Sequence, residues 1–540
     1  MHQKLGPSNP GPVAGNMGEE MNGIARALLS VSDKRGVVDL ARGLADLGIE
    51  LVSSGGTARA ITEAGIPCGS VESLTESPEV MGGRVKTLHP RVHGGILFRR
   101  DLESDREDAE RIGAKAIDLV IVNLYPFDAA ARTGDLATAI ENIDIGGPTL
   151  IRAAAKNHAH VGVVTSPDRY AELLERIAEG RVDGAFRRQL AREAFRHTGR
   201  YDAAIAQYLD GLDEKELPLP EETALPLLRV QSLRYGENPH QSAAFYRDGS
   251  SGGVSLADAV QHHGKELSFN NFGDLSAACE LALEFAHPAA VVIKHANPSG
   301  CAVASDLADA YRQARAGDPL SAFGSVVALN RSVDLETAEL VAETFVEAVI
   351  APAFAPDALA RLMRKKGLRL LELPGLDGEL VAPLGIARLD VRRVLGGYLL
   401  QSRDEGGDSS AWRVGSTRQP TDDEMAALRF AWSVCRHVKS NAIVLARGRQ
   451  TIGVGAGQMS RVDSVRIARS KMCEHGHGDG SAVLASDAFF PFRDGVDAAH
   501  DAGATAIIQP GGSIRDAEVL EAANEHGMAM VLTGRRHFWH

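Results

Sequence analysis

The stretch 27-ALLSVSDKRGVVDLARGLADLGIELVSSGGT-57 decides the fold class. Residues 27–32 form an apolar run of strand length, and apolar residues then recur at helical spacing from Val37 to Leu47. Gly48 is placed to end that helix, and a second apolar run leads into the small-residue turn 54–57. A strand, a helix and another strand in this order predict a parallel α/β sheet.

The same alternation continues beyond this stretch. Further strands are predicted at 118–124, 161–165, 290–293, 326–329 and 506–508. In open sheets of this kind ligands bind beyond the carboxyl ends of the strands, so polar residues at those ends are candidate site residues.

A length of 540 residues predicts several domains, because one domain usually takes about 100–200 residues. The charged, proline-containing stretch 213–226 is the predicted linker, which gives domains at 23–220 and 221–540. Residues 1–22 are rich in Gly, Pro and polar residues and are predicted to form a disordered extension. No repeat is visible among the motifs, and two similar sub-domains in the second half are left open.

Composition excludes several classes of function. The formal net charge of -13 argues against binding to nucleic acid or to an acidic membrane surface. No apolar run approaches the roughly 18 residues of a membrane span. The five cysteines are scattered, odd in number and without a C-x-x-C pair, so a reducing cytoplasm is expected rather than a disulfide framework.

Two strand ends of the first domain carry groups that suit a phosphate. Residues 30–36 (SVSDKRG) offer hydroxyls, backbone N–H groups and two cations at a helix start, and residues 54–57 (SGGT) let backbone amides approach an oxyanion. Simple capped turns are the alternative for both.

Three further segments of this domain contain chemically useful side chains. The loop 82–90 (GGRVKTLHP) holds two cations and a histidine, Tyr125 is expected at a sheet edge, and residues 143–149 (IDIGGPT) enter a helix that carries Lys156. A solvated basic loop, a packed tyrosine and a surface lysine are the respective alternatives.

In the second domain, residues 291–300 (VVIKHANPSG) place Lys294 and His295 at the end of an apolar strand. Histidine can take a proton near neutral pH, and the adjacent lysine favours the neutral imidazole. A purely structural histidine is the alternative.

Other polar segments are open to more than one interpretation. Arg234 can bind a phosphate or carboxylate bidentately, and residues 267–274 are expected to cap a helix through Asp274 or its neighbours. The polar stretch 404–423 is predicted to be a surface loop. Residues 473–477 (CEHGH) are predicted to form a mobile loop rather than a metal site, and the glycines of 452–458 match a dinucleotide fingerprint only weakly.

Taken in order, these motifs resemble a known family. The segments SVSDKRG, SSGGTA, GGRVKTLHP, NLYPF, IDIGGPTLIRAAAKNH, LRYGENPHQ, LSFNNFGD, VIKHANPSG, HVKSNAIVLA, GVGAGQMSRVDS, SDAFFPFRDGVD and RRHFWH are similar to the bifunctional AICAR transformylase/IMP cyclohydrolases. AICAR is aminoimidazole carboxamide ribotide, and IMP is inosine monophosphate. The resemblance covers residues 25 to about 215 and 228–540.

The resemblance implies a fold, a reaction and partners. The fold is an N-terminal methylglyoxal-synthase-like domain followed by a transformylase domain of two cytidine-deaminase-like sub-domains without zinc. Formyl transfer from 10-formyltetrahydrofolate to AICAR gives formyl-AICAR, which a dehydrative ring closure converts to IMP. A homodimer is implied, no metal is expected, and the need for a monovalent cation is left open.

For the first domain, the resemblance implies two sets of residues. The implied catalytic group consists of Lys86, Tyr125, Asp144 and Lys156. The implied ligands of the nucleotide are Ser32, Lys34, Ser54, Gly55, Gly56, Thr57, Arg84 and Thr87. A lysine can stabilise a developing oxyanion, and a carboxylate and a phenol can relay protons.

For the second domain, the resemblance implies His295 as general base, Lys294 as the group that stabilises the transition state or protonates the folate nitrogen, and Asn441 as the group that orients the formyl. The implied substrate-binding residues are Arg234, Tyr235, His240, Asn271, Arg461, Phe489, Asp494, Arg536 and Phe538. Two rival functions are a phosphosugar lyase that uses only the first domain and a nucleotide-sensing module without catalysis.

Overall fold

The computed structural model describes residues 23–125, 127, 135–210, 212, 219–248, 254–378, 389–404 and 409–540. The chain divides into two compact units, Met1–Glu214 with Pro220–Pro226 and Lys215–Leu219 with Leu227–His540. The predicted extension at 1–22 and residues 213–218 of the predicted linker lie outside the described residues. In the described part of the chain, no helix combines the length and the apolar character needed to cross a bilayer.

The first unit contains a parallel sheet of five strands in the order β3-β2-β1-β4-β5. Its strands are β1 Arg26–Val31, β2 Glu50–Ser53, β3 Gly69–Ser70, β4 Leu119–Asn123 and β5 Gly162–Val164. Its described helices are Val37–Asp46, Gly55–Glu63, Val71–Thr75, Pro90–Leu97, Glu103–Ile112, Leu136–Glu141, Gly146–Lys156, Tyr170–Ala178 and Gly184–Asp210. The parallel α/β sheet predicted from residues 27–57 is confirmed, and its central strands are buried on both faces, as continuous apolar runs require.

The second unit is built around a mixed sheet of twelve strands. These strands are β8 Val260–His263, β9 Ala289–Lys294, β10 Asn297–Val303, β11 Ser325–Leu329, β12 Val346–Ala351, β13 Arg369–Glu372, β16 Arg413–Val414, β17 Ile443–Arg447, β18 Gln450–Gly455, β19 Ala482–Ser486, β20 Ala504–Gln509 and β21 Ala529–Leu532. Two separate hairpins are β6 Leu227–Leu233 with β7 Ala243–Asp248 and β14 Leu389–Val394 with β15 Gly397–Ser402. The described helices are Phe269–Ala282, Leu307–Gly317, Pro319–Ala322, Leu335–Glu343, Pro356–Leu362, Asp422–Cys435, Arg461–Glu474, Asp494–Asp501 and Asp516–Glu525.

The large sheet consists of two halves with the same topology. One half has the strand order β8-β13-β12-β11-β9-β10, and the other has β16-β21-β20-β19-β17-β18. Corresponding pairs agree in direction, since β11, β12 and β13 are mutually parallel, as are β19, β20 and β21. The halves meet where β10 pairs antiparallel with β18. This seam brings residues from both halves to one edge of the sheet.

Glycines let a helix lie close to the seam strand in each half. A Cβ on Gly300 of β10 would lie 1.9 Å from the Ala314 carbonyl oxygen, and one on Gly455 of β18 would lie 2.0 Å from the Ser464 carbonyl oxygen. Neither backbone oxygen can move without shifting its whole helix. In both halves, a glycine in the seam strand therefore lets a helix pack directly against the strand backbone.

We expect Gly300→Ala to destabilise the second unit by roughly 1–3 kcal/mol, because the methyl group overpacks a backbone contact. The measurement is the midpoint of denaturant unfolding followed by tryptophan fluorescence, since Trp412, Trp432 and Trp539 are all three tryptophans of the chain. The control is Gly273→Ala, an exposed helical glycine with nothing within 4 Å of a new Cβ. An unchanged midpoint for Gly300→Ala would contradict the close approach.

The structure refines one local prediction and corrects two. Residues 267–274 cap the helix Phe269–Ala282 as predicted, through Ser268 in a reciprocal capping box with Asn271 rather than through Asp274. The predicted loop at 404–423 contains β16 and the capping box of the helix Asp422–Cys435 in its described part. The predicted mobile loop at 473–477 begins as the last turn of the helix Arg461–Glu474, and the His475 Nε2 atom lies 3.0 Å from Asp318 Oδ1.

Candidate active sites

In the first unit, the ends of β1 and β4 build a polar edge together. The Asn123 Oδ1 atom accepts hydrogen bonds from the backbone N–H groups of Ser32 at 2.7 Å and Asp33 at 2.8 Å. Asn123 therefore fixes the turn that presents Ser32 and Lys34. The sequence analysis did not single out Asn123, although a polar residue at the end of a buried strand was the available signal.

The helix Gly55–Glu63 begins at the same edge. Its N-cap residue Ser54 makes no side-chain capping bond, so the first N–H groups are open to an anion. The Thr57 hydroxyl accepts from the Val31 N–H and donates to the Val31 carbonyl, both at 3.0 Å. The Thr57 side chain thus links the helix to β1 by hydrogen bonds. The backbone N–H of Thr57 is the part that can make the predicted phosphate contact.

Two lysines lie over the glycines of this helix start. A Cβ on Gly55 would be 2.9 Å from Lys86 Nζ, and one on Gly56 would be 3.7 Å from Lys34 Nζ. The missing side chains therefore make room for both ammonium groups. Lys86 also forms a 3.0 Å ion pair with Glu79. Two cations and a helix N-terminus together form a site for a phosphate or an oxyanion.

Asp144 lies at the start of the helix Gly146–Lys156. Its Oδ1 atom accepts from the Gly147 N–H at 2.8 Å, and its own N–H donates to the Tyr201 hydroxyl at 2.8 Å. Thr87 is close by, since its Oγ1 atom lies 2.8 Å from the position of a Cβ on Gly146. Burial raises the pKa of the Asp144 carboxyl. Such a carboxyl is suited to proton transfer.

Other predicted residues of this unit lie further apart. Tyr125 lies two residues after the end of β4 and is 55% exposed, which leaves its ring open to a ligand. The Arg84 side chain is exposed and ion-paired with Glu141. Lys156 ends the helix that begins at Gly146, about 15 Å away at 1.5 Å per residue. The catalytic role of Lys156 rests on the resemblance and stays a prediction.

We expect the Asp144 carboxyl to titrate above the ordinary range of an aspartate, about 3.9, because burial disfavours the charged form. The sign for stability follows from the raised pKa: as the pH rises through it, the buried carboxylate forms and the folded state loses stability relative to the unfolded state. The measurement is carboxyl ¹³C NMR against pH, with Asp144→Asn assigning the signal. A midpoint at or below the ordinary value would contradict this prediction.

In the second unit, the turn after β9 carries the predicted base. His295 and Ala296 have φ values of 53° and 58°, which are uncommon for residues with a Cβ and occur at strained functional turns. The Ala296 N–H donates to Asp274 Oδ1 at 2.7 Å, and Asn297 Nδ2 donates to the His295 carbonyl at 3.2 Å. These bonds hold the His295 side chain exposed at the sheet edge.

Lys294 is held beside it. Its Nζ atom donates to the Gly324 carbonyl at 2.8 Å and to the Phe323 carbonyl at 3.3 Å. Both acceptors are neutral carbonyl groups, and they fix the position of the ammonium at the end of β9.

Asn441 is brought to the same edge by the second half of the sheet. The Lys439 N–H donates to Asn297 Oδ1 at 2.9 Å across the seam. The Asn441 amide donates to the Gln458 carbonyl and accepts from Arg461 Nη2, each at 2.8 Å. The three predicted catalytic residues of this unit are therefore presented along one edge.

The substrate-binding role implied for Arg461 stays a prediction, and the structure shows what else its side chain contacts. Its side chain is only 6% exposed and is ion-paired with the fully buried carboxylate of Asp487. The guanidinium also contacts Ser486 and Asn441. Arg461 thus supports the Asn441 amide. Asp487 was not among the sequence-predicted site residues, although it lies in the motif SDAFFPFRDGVD.

The structure places the remaining predicted ligands of this unit on several elements. Arg536 lies over the ring of Phe538 at 4.7 Å, and both side chains are exposed. Phe489 is half-buried in the loop after β19, and Asp494 is exposed at the start of its helix. Asn271 lies in the capping box of the helix Phe269–Ala282, where its Oδ1 atom accepts from Ser268.

The hairpin β6–β7 carries three more predicted ligands. Arg234 lies over the Tyr235 ring at 5.7 Å, and His240 is exposed in the same turn. Phe245 of the hairpin stacks on Phe272 at 4.2 Å, which packs the hairpin against the start of the helix Phe269–Ala282. Among the described residues, no group of three or more His, Cys, Asp or Glu side chains is arranged to hold a metal ion.

Family models match both parts of the chain. Residues 154–471 match the AICARFT/IMPCHase bienzyme family, and residues 36–149 match the MGS-like domain. The first match alone covers more than half of the chain. The chain belongs to the AICARFT/IMPCHase bienzyme family. An α/β architecture with an N-terminal MGS-like domain and a C-terminal AICARFT/IMPCHase domain follows from these matches.

Curated relatives in this family are similar over almost the whole chain. "Bifunctional purine biosynthesis protein PurH" of Acidithiobacillus ferrooxidans is 53% identical over 527 residues, which cover 96% of this chain and 100% of the relative. The proteins of the same name from Sorangium cellulosum and Myxococcus xanthus are 53% and 54% identical, covering 96% and 95% of this chain and 100% of each relative.

Membership of the AICARFT/IMPCHase bienzyme family establishes the activities. The protein is a bifunctional AICAR formyltransferase and IMP cyclohydrolase that carries out the final steps of IMP biosynthesis. A folate is the co-substrate that a formyltransferase of this family uses. The prediction made from the ordered motifs is confirmed at this level.

Proposed function

We propose that the second unit transfers the formyl group of 10-formyltetrahydrofolate to AICAR and that the first unit closes formyl-AICAR to IMP. The domains are those predicted at 23–220 and 221–540. The observation that carries this assignment is the common edge at which Lys294 and His295 of one half and Asn441 of the other are held.

For formyl transfer, the exposed imidazole of His295 takes a proton from the AICAR amine as its nitrogen attacks the formyl carbon. This amine is conjugated with the carboxamide and is a poor nucleophile, so base assistance is needed. The Lys294 ammonium stabilises the oxyanion or protonates the folate nitrogen that leaves, and the Asn441 amide orients the formyl group. Arg234, Tyr235, His240, Arg536 and Phe538 hold the nucleotide and folate around the edge, with Asn271, Phe489 and Asp494.

For ring closure, the carboxamide nitrogen attacks the formamide carbon of the same molecule, and water then leaves. The phosphate is held by the backbone N–H groups at Gly55–Thr57 together with Ser32, Lys34 and Ser54. Lys86 stabilises the developing oxyanion, and Asp144 and Tyr125 move protons. Holding both reacting groups of one molecule in contact supplies much of the rate.

The proposal extends to sub-domains, assembly and location. The two halves of the large sheet have the same topology, which supports a pair of cytidine-deaminase-like sub-domains. Exposed apolar side chains on the hairpins, among them Leu228, Leu395 and Leu399, support a homodimer, because such residues often mark an interface. The free cysteines support the cytoplasm. Sedimentation of the purified protein tests the dimer, and a monomer at micromolar concentration would contradict it.

The first test of the reaction is to mix the purified protein with AICAR and 10-formyltetrahydrofolate and to separate the products by chromatography. IMP with tetrahydrofolate is the expected result. Accumulating formyl-AICAR would contradict the site assigned to the first unit. Absence of any product would favour the non-catalytic binding module, and turnover of a phosphosugar would favour the lyase.

A further inference from the structure

Asp487 occupies an unusual position beside the proposed formyl-transfer site. It follows the last residue of β19 and is fully buried, and its carboxylate has two donors. Arg461 Nη1 donates to one oxygen, and the Ser440 hydroxyl donates to the other. A buried carboxylate needs such partners, because leaving it without them is strongly destabilising.

Both donors also restrain Asn441, one through its side chain and one through the backbone. Arg461 uses its second terminal nitrogen to donate to Asn441 Oδ1 at 2.8 Å, so the Asp487–Arg461 pair sets the orientation of that amide. Ser440 is the residue before Asn441, so its bond to the carboxylate fixes the backbone there. The main chain adds a third restraint, since the Asp487 N–H donates to the Ala442 carbonyl at 3.3 Å. Asp487 thus holds the residues on both sides of Asn441 and the amide itself.

The C-terminal tail is hydrogen-bonded to Asp487 and Ser440 through its backbone. The His537 N–H donates to the Asp487 carbonyl at 3.0 Å, and the Ser440 N–H donates to the Trp539 carbonyl at 2.8 Å. His537 is buried, whereas its neighbours Arg536 and Phe538 are exposed. The anchors and the proposed ligands therefore alternate along the tail.

We propose that Asp487 is a positioning residue for formyl transfer, acting through Arg461 and Ser440 on the amide of Asn441. It does not reach the substrate, because its side chain is enclosed by protein. This inference rests on the proposed role of Asn441. A misplacement of about 1 Å in a catalytic group can reduce a rate about 100-fold, so loss of this support is expected to act on kcat.

The repeated topology supplies a matched control. Asn330 follows β11 as Asp487 follows β19, and it is equally buried, at 1% against 0% exposure. Its side chain accepts from the Ala289 N–H and donates to the carbonyls of Phe285 and His287. Asn330→Ala therefore removes a buried polar side chain that, like Asp487, makes hydrogen bonds to neighbouring segments. None of its side-chain hydrogen bonds leads to Asn441.

The experiment compares initial rates of formyl transfer for Asp487→Ala, Asp487→Asn, Asn330→Ala and Asn441→Ala in the full chain, each below its melting temperature. We expect about a 100-fold fall in kcat for Asp487→Ala with little change in KM for AICAR. Asp487→Asn is expected to keep part of the rate, because its amide oxygen can still accept one of the two bonds. Asn330→Ala is expected to lower the melting temperature while kcat stays near the wild-type value.

Two outcomes would overturn the inference on its own. The first is wild-type kcat in Asp487→Asn, and in Asp487→Ala if that variant folds, while Asn441→Ala is impaired. The second is an equal loss of kcat in Asn330→Ala. The isosteric Asp487→Asn keeps the test decisive if the alanine variant does not fold. Wild-type transfer by Asn441→Ala would instead remove the proposed role of Asn441 and the inference with it. Ring closure of formyl-AICAR, which uses the other unit, is expected to be unchanged in all four variants.

Discussion

Lys294→Ala is expected to reduce formyl transfer by a factor of about 100 to 1000 while ring closure of formyl-AICAR continues at the wild-type rate. The ammonium is fixed by two carbonyl oxygens at the end of β9, so its charge is already in place when the oxyanion develops. Removal of one preorganised stabilising group of this kind typically costs that much in kcat. The two rates are measured separately, by tetrahydrofolate release from AICAR and by IMP formation from added formyl-AICAR.

The matched control for this variant is Lys265→Ala, which removes an exposed lysine of the same unit. It should leave both rates unchanged. Loss of ring closure in folded Lys294→Ala would contradict the assignment of the two reactions to separate units, and undiminished formyl transfer would remove Lys294 from the catalytic group.

Lys86→Ala is expected to have the converse effect, a fall of about 100-fold or more in ring closure with formyl transfer retained. Lys86 Nζ lies over the start of the helix Gly55–Glu63, where the ammonium and the open N–H groups act on the same anion. Glu79 is its partner in the free protein and would be left without a cation. In the complete reaction, formyl-AICAR should accumulate in place of IMP.

The control here is Lys115→Ala, since Lys115 is an exposed lysine of the first unit. A variant at Lys86 that closes the ring at the wild-type rate would show that the lysine is a surface residue of a basic loop. Loss of both reactions in a folded Lys86→Ala would instead argue against two independent sites.

Several features could be predicted from local sequence because their physical cause is local. Apolar runs such as 27–32 and 118–124 are too short for helices and too apolar for surface loops, so they predict buried strands. The position of Lys294 and His295 at a strand end follows from the run before them. The capping of the helix Phe269–Ala282 by residues 267–274 was predicted, but not that Ser268 is the capping residue, because Ser, Asn and Asp all suit that role and only the backbone selects among them.

The surroundings of Arg461 could not be predicted from its motif. The resemblance implied a substrate-binding role, and the structure places the Arg461 side chain against the buried Asp487. Its direction depends on where β19 ends, and no pattern around residue 461 contains that information.

The α/β class, the ordered motifs and the chemical types at the strand ends could be predicted from the amino-acid sequence, because these depend on neighbouring residues. Which of these groups come together depends on the order of the strands in the folded sheet. Lys439 and Asn297 are 142 positions apart in the chain, and the antiparallel pairing of β10 with β18 brings their segments into hydrogen-bond contact. Strand order is fixed by long-range burial and backbone pairing, so the joining of Asn441 with His295, and the support of Asn441 by Asp487, exist only in the folded sheet.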